Sequence, residues 1–174
     1  MALLVGLQKF ISDMGTLHTP ITVWASLYPF PQLLVGGYIA ASRAFTGGFH
    51  AAAGSPAAWI FAARAISFLI AGQISLRSPL TKLMGPAMHV PFLLAVPLCL
   101  RWLASEHSSL DPGTTRFLAY TLPITAISLV LDARTAFLWL SGRNVGKYTQ
   151  GRDPPPRFIL PIPSLLLAIY LAYA

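Results

Sequence analysis

The sequence predicts an all-α integral membrane protein: a bundle of about five transmembrane helices in one domain over residues 1–174. Three observations lead to this fold class. The 174 residues are 55% hydrophobic and only 10% charged, whereas soluble domains carry about 25% charged residues. The apolar residues collect in runs of about 20, the length of helix that crosses a bilayer. The 15 prolines and 13 glycines are better tolerated in membrane helices than in soluble ones.

The apolar runs set the boundaries of the predicted segments. Residues 1–15 are predicted as an interfacial helix, and the five crossings as residues 20–41, 56–76, 85–103, 115–141 and 158–174. The last crossing has about 17 residues, which is near the lower limit for spanning a bilayer. Four crossings with a re-entrant or interfacial fifth segment are therefore the alternative architecture.

The interfacial helix is predicted from its helical periodicity. Its apolar residues share one face while its charged residues Lys9 and Asp13 lie off that face, as in helices that lie in the membrane interface. The apolar set is Leu3, Leu4, Leu7, Phe10 and Ile11.

Prolines and glycines predict where the helices are interrupted. Pro29 and Pro31 fall inside the first crossing, where they predict either a plain kink or a broken helix that lines a cavity. The glycines of residues 42–55 predict a loop. Pro91 makes the third crossing the least helical of the five.

Small residues recur every four positions along the second crossing, and such an edge lets another helix approach closely. We therefore expect this edge to hold a homo- or hetero-oligomer together. It consists of Ala63, Ser67, Ala71 and Ser75.

The basic residues predict the orientation of the chain. With five crossings, seven fall on the side of the N-terminus, and three on the other, namely Arg43, Arg101 and Arg116. Because basic loops stay on the cytosolic side, the N-terminus is predicted to be cytosolic and the protein multi-pass. The seven are Lys9, Arg77, Lys82, Arg143, Lys147, Arg152 and Arg157.

The net charge of +7 does not indicate nucleic-acid binding, because these bases flank apolar spans, where they meet lipid headgroups. Cys99 is the only cysteine, which excludes an intrachain disulfide and thiolate metal sites. HxxxH and ExxH patterns are missing too, so no metal site is predicted and the cofactor is unknown. A haem between His89 and either His50 or His18 stays open, although His50 is expected on the opposite side.

The fourth crossing carries a polar face inside an apolar run. Thr121, Thr125, Ser128 and Asp132 are spaced four, three and four residues apart, so they lie on one helical face. A carboxylate in a crossing is costly unless it faces protein or a watered cavity. We therefore expect this face to point into the bundle.

The helical rise allows the depth of the polar residues to be estimated. Asp132 and Gln73 each lie ~25 Å from the side that carries the acidic loop, and His89 lies at a similar depth. Arg64 lies at ~12 Å, so a direct ion pair with Asp132 would have to close a gap of ~13 Å. The depths predict that Asp132, His89 and Gln73 meet.

These residues predict acid–base chemistry. Asp132 and His89 are the expected catalytic pair, because a carboxylate fixes the tautomer of an imidazole and raises its basicity. The expected function is a small membrane enzyme that isomerises, cyclises or oxidises a lipid, isoprenoid or polyketide. A non-catalytic subunit or scaffold of a membrane complex is the alternative, and a transporter is a weaker third. The expected substrate-binding residues are Gln73, Arg64, Ser128, Thr125 and Arg134.

Overall fold

The computed structural model describes residues 2–14, 23–24, 26–77, 83–106, 111–144 and 161–173, and every regular element in these ranges is an α-helix. The all-α prediction is confirmed. The elements are α1 (Ala2–Met14), α2 (Pro29–Ala53), α3 (Pro56–Arg77), α4 (Met84–His89), α5 (Phe92–Glu106), α6 (Pro112–Leu140) and α7 (Pro161–Tyr173). The predicted start of the first crossing and the predicted loops at residues 78–82 and 145–157 lie outside the described residues.

Helix α3 is the axis of the bundle. It packs against α1, α2, α4, α5 and α6, while α7 packs against α2 and α6. The main apolar core forms where Ala57 and Ile60 of α3 meet Phe92 of α5 and Phe117 of α6, and all four are fully buried. A second apolar cluster joins Phe10 of α1 to the other end of α3.

Two helices of the described chain, α3 with 22 residues and α6 with 29, are long and apolar enough to cross a membrane. Of the five predicted crossings, only the second and the fourth therefore correspond to described helices with the length and apolar composition of a membrane span. The described part of α7 has only 13 residues, or about 20 Å of helix. The third predicted crossing is divided between α4 and α5.

The prediction for residues 20–55 is wrong in its boundaries. Residues 23–24 and 26–27 are helical and Tyr28 is a turn, so helical structure is interrupted just before Pro29, one of the two outcomes that the prolines predicted. Pro29 begins α2 because its missing N–H and fixed φ suit the first helical turn. The helix then continues to Ala53 through the predicted loop. Of that loop's glycines, only Gly48, at φ 75°, leaves the helical conformation, and it kinks α2 without ending it.

The third crossing, which was predicted to be the least helical, is interrupted at Pro91. Helix α4 ends at His89 and α5 begins at Phe92, with Val90 and Pro91 between them. Pro91 has no N–H to continue the hydrogen-bond ladder of α4, while its carbonyl accepts from the N–H of Ala95 at 3.2 Å to start α5. The break places His89 at a helix end, inside the bundle.

Asp111 caps the N-terminus of α6 and ties it to α2. Its Oδ1 accepts from the N–H of Thr114 at 2.8 Å, and its Oδ2 accepts from the Thr114 hydroxyl at 2.7 Å and from Arg43 at 2.9 Å. Partial burial would raise the pKa of Asp111, but these hydrogen bonds and the Arg43 charge outweigh it and lower that pKa below its usual value. Asp111 is therefore ionised at neutral pH.

Asp111→Ala is expected to lower the free energy of unfolding by about 1 kcal/mol, the usual cost of losing an N-cap. Because the folded pKa is depressed, the wild-type advantage is present above about pH 4 and is lost as the pH falls through the folded pKa. Thermal unfolding in detergent, compared at pH 7 and pH 3, measures both effects. Equal destabilisation at the two pH values would contradict this.

Helix α1 packs on α3 through a glycine pair, Gly6 and Gly72. A Cβ built on Gly6 would lie 2.6 Å from the Gly72 carbonyl oxygen, and one built on Gly72 would lie 2.9 Å from the backbone nitrogen of Leu7. Phe10, one turn on from Gly6, packs its ring on Phe68 of α3.

This packing divides the apolar face that the sequence predicted for α1. Phe10 is buried against α3, whereas Leu3, Leu4 and Ile11 are exposed. Gly6, which has no side chain, lets the Phe10 side of α1 approach α3, and the interfacial position of α1 stays a prediction.

Gly72→Ala is expected to push α1 away from α3 and to cost about 1–3 kcal/mol of stability, as overpacking usually does. Gly54→Ala is the matched control, because a Cβ there meets only the His50 carbonyl oxygen at 3.4 Å, an ordinary contact. Thermal unfolding of both variants in detergent checks this. Equal melting temperatures for the two variants would show that the glycine pair does not carry the α1–α3 packing.

The small-residue edge of α3 is buried within this chain. Ala63, Ser67, Ala71 and Ser75 are all buried, and the Ser67 hydroxyl lies between the carbonyl oxygens of Ala63 and of Met88 in α4. The expectation that this edge meets another subunit is therefore corrected: α1 and α4 of the same chain occupy it. Oligomerisation stays a prediction without an assigned surface.

Several polar side chains are buried beside the apolar core, and many large apolar side chains are exposed. The described interior holds Arg64, Gln32 and His89 together with buried serines and threonines of α3 and α6. Large apolar side chains cover the outside of the helices, including Leu94 of α5 and Val130 and Phe137 of α6. Helix α6 thus exposes large apolar side chains, while Thr121, Thr125 and Ser128 share its buried face with Phe117 and Leu118.

Candidate functional site

Buried polar side chains from α2, α3, α4 and α6, and from the residue before α2, converge in one hydrogen-bonded group. We call this group the polar cluster; it consists of Tyr28, Gln32, Arg64, His89, Thr125 and Asp132. Five of the six are buried, and the Asp132 side chain is 18% exposed.

His89 and Asp132 form the acid–base centre of the cluster. Nδ1 of His89 lies in close contact with Oδ2 of Asp132, which is an ion pair only when His89 is protonated, and 3.0 Å from the carbonyl oxygen of Gly85. Both neighbours are acceptors, so in a neutral His89 the proton belongs on Nδ1 and Nε2 is left as the free base.

Gly85 provides the space for this contact. A Cβ on Gly85 would lie well inside the van der Waals radius of Asp132 Oδ1. Helix α4 can therefore approach the Asp132 face of α6 only because residue 85 has no side chain. The sequence assigned Gly85 no role.

Tyr28 extends the acid–base centre by one hydrogen bond. Its hydroxyl oxygen lies 3.1 Å from His89 Nε2 and 3.2 Å from the Thr125 hydroxyl oxygen. When His89 is neutral, the Tyr28 hydroxyl donates to Nε2. When His89 gains a second proton, Nε2 donates to Tyr28, and the hydroxyl hydrogen turns to Thr125. Both protonation states of His89 are therefore hydrogen-bonded without moving a heavy atom.

Arg64 lies at the other end of the cluster. Its Nε donates to the side-chain oxygen of Gln32 at 2.7 Å, and the Gln32 amide donates to Thr125 at 3.1 Å. The guanidinium carbon lies 4.7 Å from the ring centre of Tyr28 and 4.5 Å from that of Phe92, so two aromatic rings pack against the cation. Among the described residues, its buried Nη2 has no hydrogen-bond partner.

The structure brings together four of the residues that the sequence singled out: Asp132, His89, Arg64 and Thr125. The gap expected between Arg64 and Asp132 is real, and within the described chain no direct ion pair closes it. Hydrogen bonds through Gln32, Thr125 and Tyr28 lead from Arg64 to His89, and His89 contacts Asp132. The expected polar face of α6 also points inward, with Thr121, Thr125 and Ser128 buried.

Two expected members lie apart from the cluster. Gln73 is half-buried on α3, and no hydrogen bond among the described residues joins it to the cluster. Arg134 is exposed on α6. The depth estimate placed Gln73 beside Asp132 because it treated every crossing as a straight, parallel helix. Arg64 joins the cluster instead, through Gln32 and the rings of Tyr28 and Phe92.

Sequence reasoning missed Tyr28, Gln32 and Phe92. Tyr28 and Gln32 are four residues apart and so share a helical face, and a glutamine within an apolar run needs a polar partner. These two signals were available. The packing of Phe92 on Arg64 carried no such signal, because it depends on the break before α5.

Of the two histidine pairs considered for haem, only His89 with His50 lies within the described residues. Both ring nitrogens of His89 already face protein partners, His50 is exposed on α2, and His18 lies outside the described residues. Within the described chain, no three metal-ligating side chains gather at one point.

Comparisons with known proteins add no family to this geometry. No family model matches the chain, and no curated protein or solved structure matches it significantly.

Proposed function

We propose that this chain is a multi-pass membrane protein that holds the polar cluster inside a lipid-facing shell, with its N-terminus on the cytosolic side. The apolar outer surface of α6 supports this, since Val130 is 70% exposed and Leu140 75%. So does the buried polar interior, because helices in lipid turn their polar side chains toward one another. In water the same surface would be an aggregation hazard.

We propose further that the cluster makes this protein an enzyme that moves protons on a lipophilic substrate such as a lipid, isoprenoid or polyketide. The observation that carries the proposal is the carboxylate–imidazole–phenol sequence of Asp132, His89 and Tyr28. Asp132 orients His89 and stabilises its protonated form, so that Nε2 is the base and Tyr28 passes the proton. Isomerisation or cyclisation needs no more than such a relay.

Arg64 and Thr125 position the substrate in this proposal. Arg64 supplies a fixed positive charge and Thr125 connects it to the relay through Gln32. Ser128 extends the buried polar face of α6. Gln73 and Arg134, which lie outside the cluster, have no part in it.

A structural role is the second candidate. The cluster joins four helices and the residue before α2, which is what a polar tie in a scaffold or subunit of a membrane complex would do. In that role the polar cluster would stabilise the fold or the surface that binds a partner, and it would catalyse no reaction.

The two candidates predict different outcomes for the purified protein in lipid nanodiscs. Incubation in D₂O with lipophilic extract of its membrane, followed by mass spectrometry, is expected to show protein-dependent deuterium uptake or isomer formation in one extract component. His89→Gln should abolish that change and still accumulate in the membrane. If the variant instead fails to accumulate or loses a copurifying partner, and wild type changes no component, the structural role is correct.

A further inference from the structure

Arg64 is a buried charge whose hydrogen bonding is incomplete. It is 1% exposed, its Nε is taken by Gln32, and Nη2 has no partner among the described residues. A buried cation without a direct ion-pair partner is costly, and the Asp132 carboxylate of the same cluster contacts His89 instead. The aromatic rings of Tyr28 and Phe92 lower that cost only in part.

We propose that Arg64 binds the oxygen of a lipophilic carbonyl compound, an oxygen that becomes negatively charged when the adjacent carbon loses a proton. This inference rests on the proposed proton transfer and names the class of its substrate. A guanidinium suits this task because it donates in a fixed plane and stays protonated in proteins. Preorganised donors aimed at a developing oxyanion are among the strongest catalytic devices.

The positions of Arg64 and His89 fit one small reacting group. Both contact Tyr28: the guanidinium carbon lies 4.7 Å from the ring centre, and Nε2 lies 3.1 Å from the hydroxyl oxygen. Arg64 and the base His89 therefore contact the same aromatic side chain, the cation at the ring and Nε2 at the hydroxyl. The proposal places the carbonyl compound beside Tyr28, between the two.

The proton step balances without a co-reactant. The carbon–hydrogen bond next to the carbonyl breaks, and its electron pair moves onto the carbonyl oxygen held by Arg64. The proton passes to the Tyr28 hydroxyl as that group gives its own to His89 Nε2. Returning the proton to another carbon of the resulting enolate completes an isomerisation and restores neutral His89.

The break between α4 and α5 is the expected entrance. Phe92 covers one face of the Arg64 guanidinium and directly follows Val90 and Pro91, where the helix is interrupted. Val90, Leu93 and Leu94 around it are exposed and apolar. Phe92 itself is fully buried, so a lipophilic molecule that approaches from the bilayer meets Val90, Leu93 and Leu94 first. The Phe92 ring must then rotate to uncover the cation.

Photoaffinity labelling of the wild-type protein in nanodiscs tests the charge preference. The probes are a fatty acid that carries a diazirine and the fatty alcohol that differs only in its head group; the carboxylate stands in for the charged oxygen. The acid is expected to label the residues around Phe92 roughly tenfold or more above the alcohol. Unlabelled fatty acid should compete for this labelling and fatty alcohol should not.

Arg64→Met, which keeps an unbranched side chain without charge, is expected to remove the preference, and Arg64→Lys to keep part of it. Equal labelling by the two wild-type probes would overturn the inference whether or not the variants fold, and so would an undiminished preference in Arg64→Met. A preserved preference without deuterium uptake into an added long-chain ketone in D₂O would refute the proton transfer alone and leave Arg64 as a binding site for an anionic oxygen.

Discussion

Replacing Asp132 by asparagine is expected to slow proton transfer by roughly 10²–10⁴-fold, the usual worth of a general acid–base group. The variant keeps the size of the side chain beside Gly85 and His89, but it removes the charge that stabilises a protonated His89. The asparagine amide can also donate toward Nδ1, which would favour the wrong tautomer of the imidazole. The fold should persist, because only one polar contact changes.

Deuterium uptake by the substrate in D₂O measures this loss. Asp13→Asn is the matched control: it makes the same chemical change at a partly exposed ion pair with Lys9 on α1. The control should keep wild-type turnover and wild-type melting temperature. Wild-type turnover in Asp132→Asn would remove Asp132 from the mechanism.

Gly85→Ala is expected to be the second most damaging small substitution in the chain. The new methyl group would overlap Oδ1 of Asp132, so either the carboxylate must turn away from His89 or α4 must move off α6. Overpacking of this kind costs about 1–3 kcal/mol, while the gain in helix propensity returns at most about 1 kcal/mol. We expect lower stability together with most of the turnover lost.

A double-mutant cycle isolates the cause. In an Asp132→Ala background the carboxylate is gone, so Gly85→Ala should be neutral or slightly stabilising there, as Gly54→Ala should be in the wild type. Thermal unfolding of the four proteins gives the coupling free energy. If Gly85→Ala were equally destabilising in both backgrounds, the close approach of α4 to Asp132 would be refuted.

Local sequence patterns were enough to predict the helices that end cleanly. The bounds of α3 and α6 agree with the prediction to within three residues, because Pro56 and Pro112 sit at their first turns and the runs between are apolar. The inward polar face of α6 followed from the spacing of Thr121, Thr125 and Ser128. Asp132 needed a partner, and depth alone indicated His89.

The remaining features of the fold depend on tertiary contacts, which local sequence patterns do not show. Pro29 proved to be a helix start, a meaning that depends on how the chain before it turns. Gly6 and Gly72 let the backbones of α1 and α3 come into contact. A contact between backbones produces no pattern of hydrophobic residues in the sequence. The spacing of Tyr28 and Gln32 indicates a shared face, but nothing local indicates that the Tyr28 hydroxyl lies between His89 and Thr125.

The spin-label accessibility of Val130 tests the central claim, that apolar helices face lipid while the polar cluster faces inward. A nitroxide at Val130→Cys, in a Cys99→Ala background in nanodiscs, is compared with one at Ser141→Cys just beyond the end of α6. The account predicts that oxygen, which concentrates in lipid, relaxes the Val130 label while a water-soluble nickel chelate does not, and that the chelate reaches Ser141. Relaxation of the Val130 label by the nickel chelate would mean that α6 faces water, and would contradict the account.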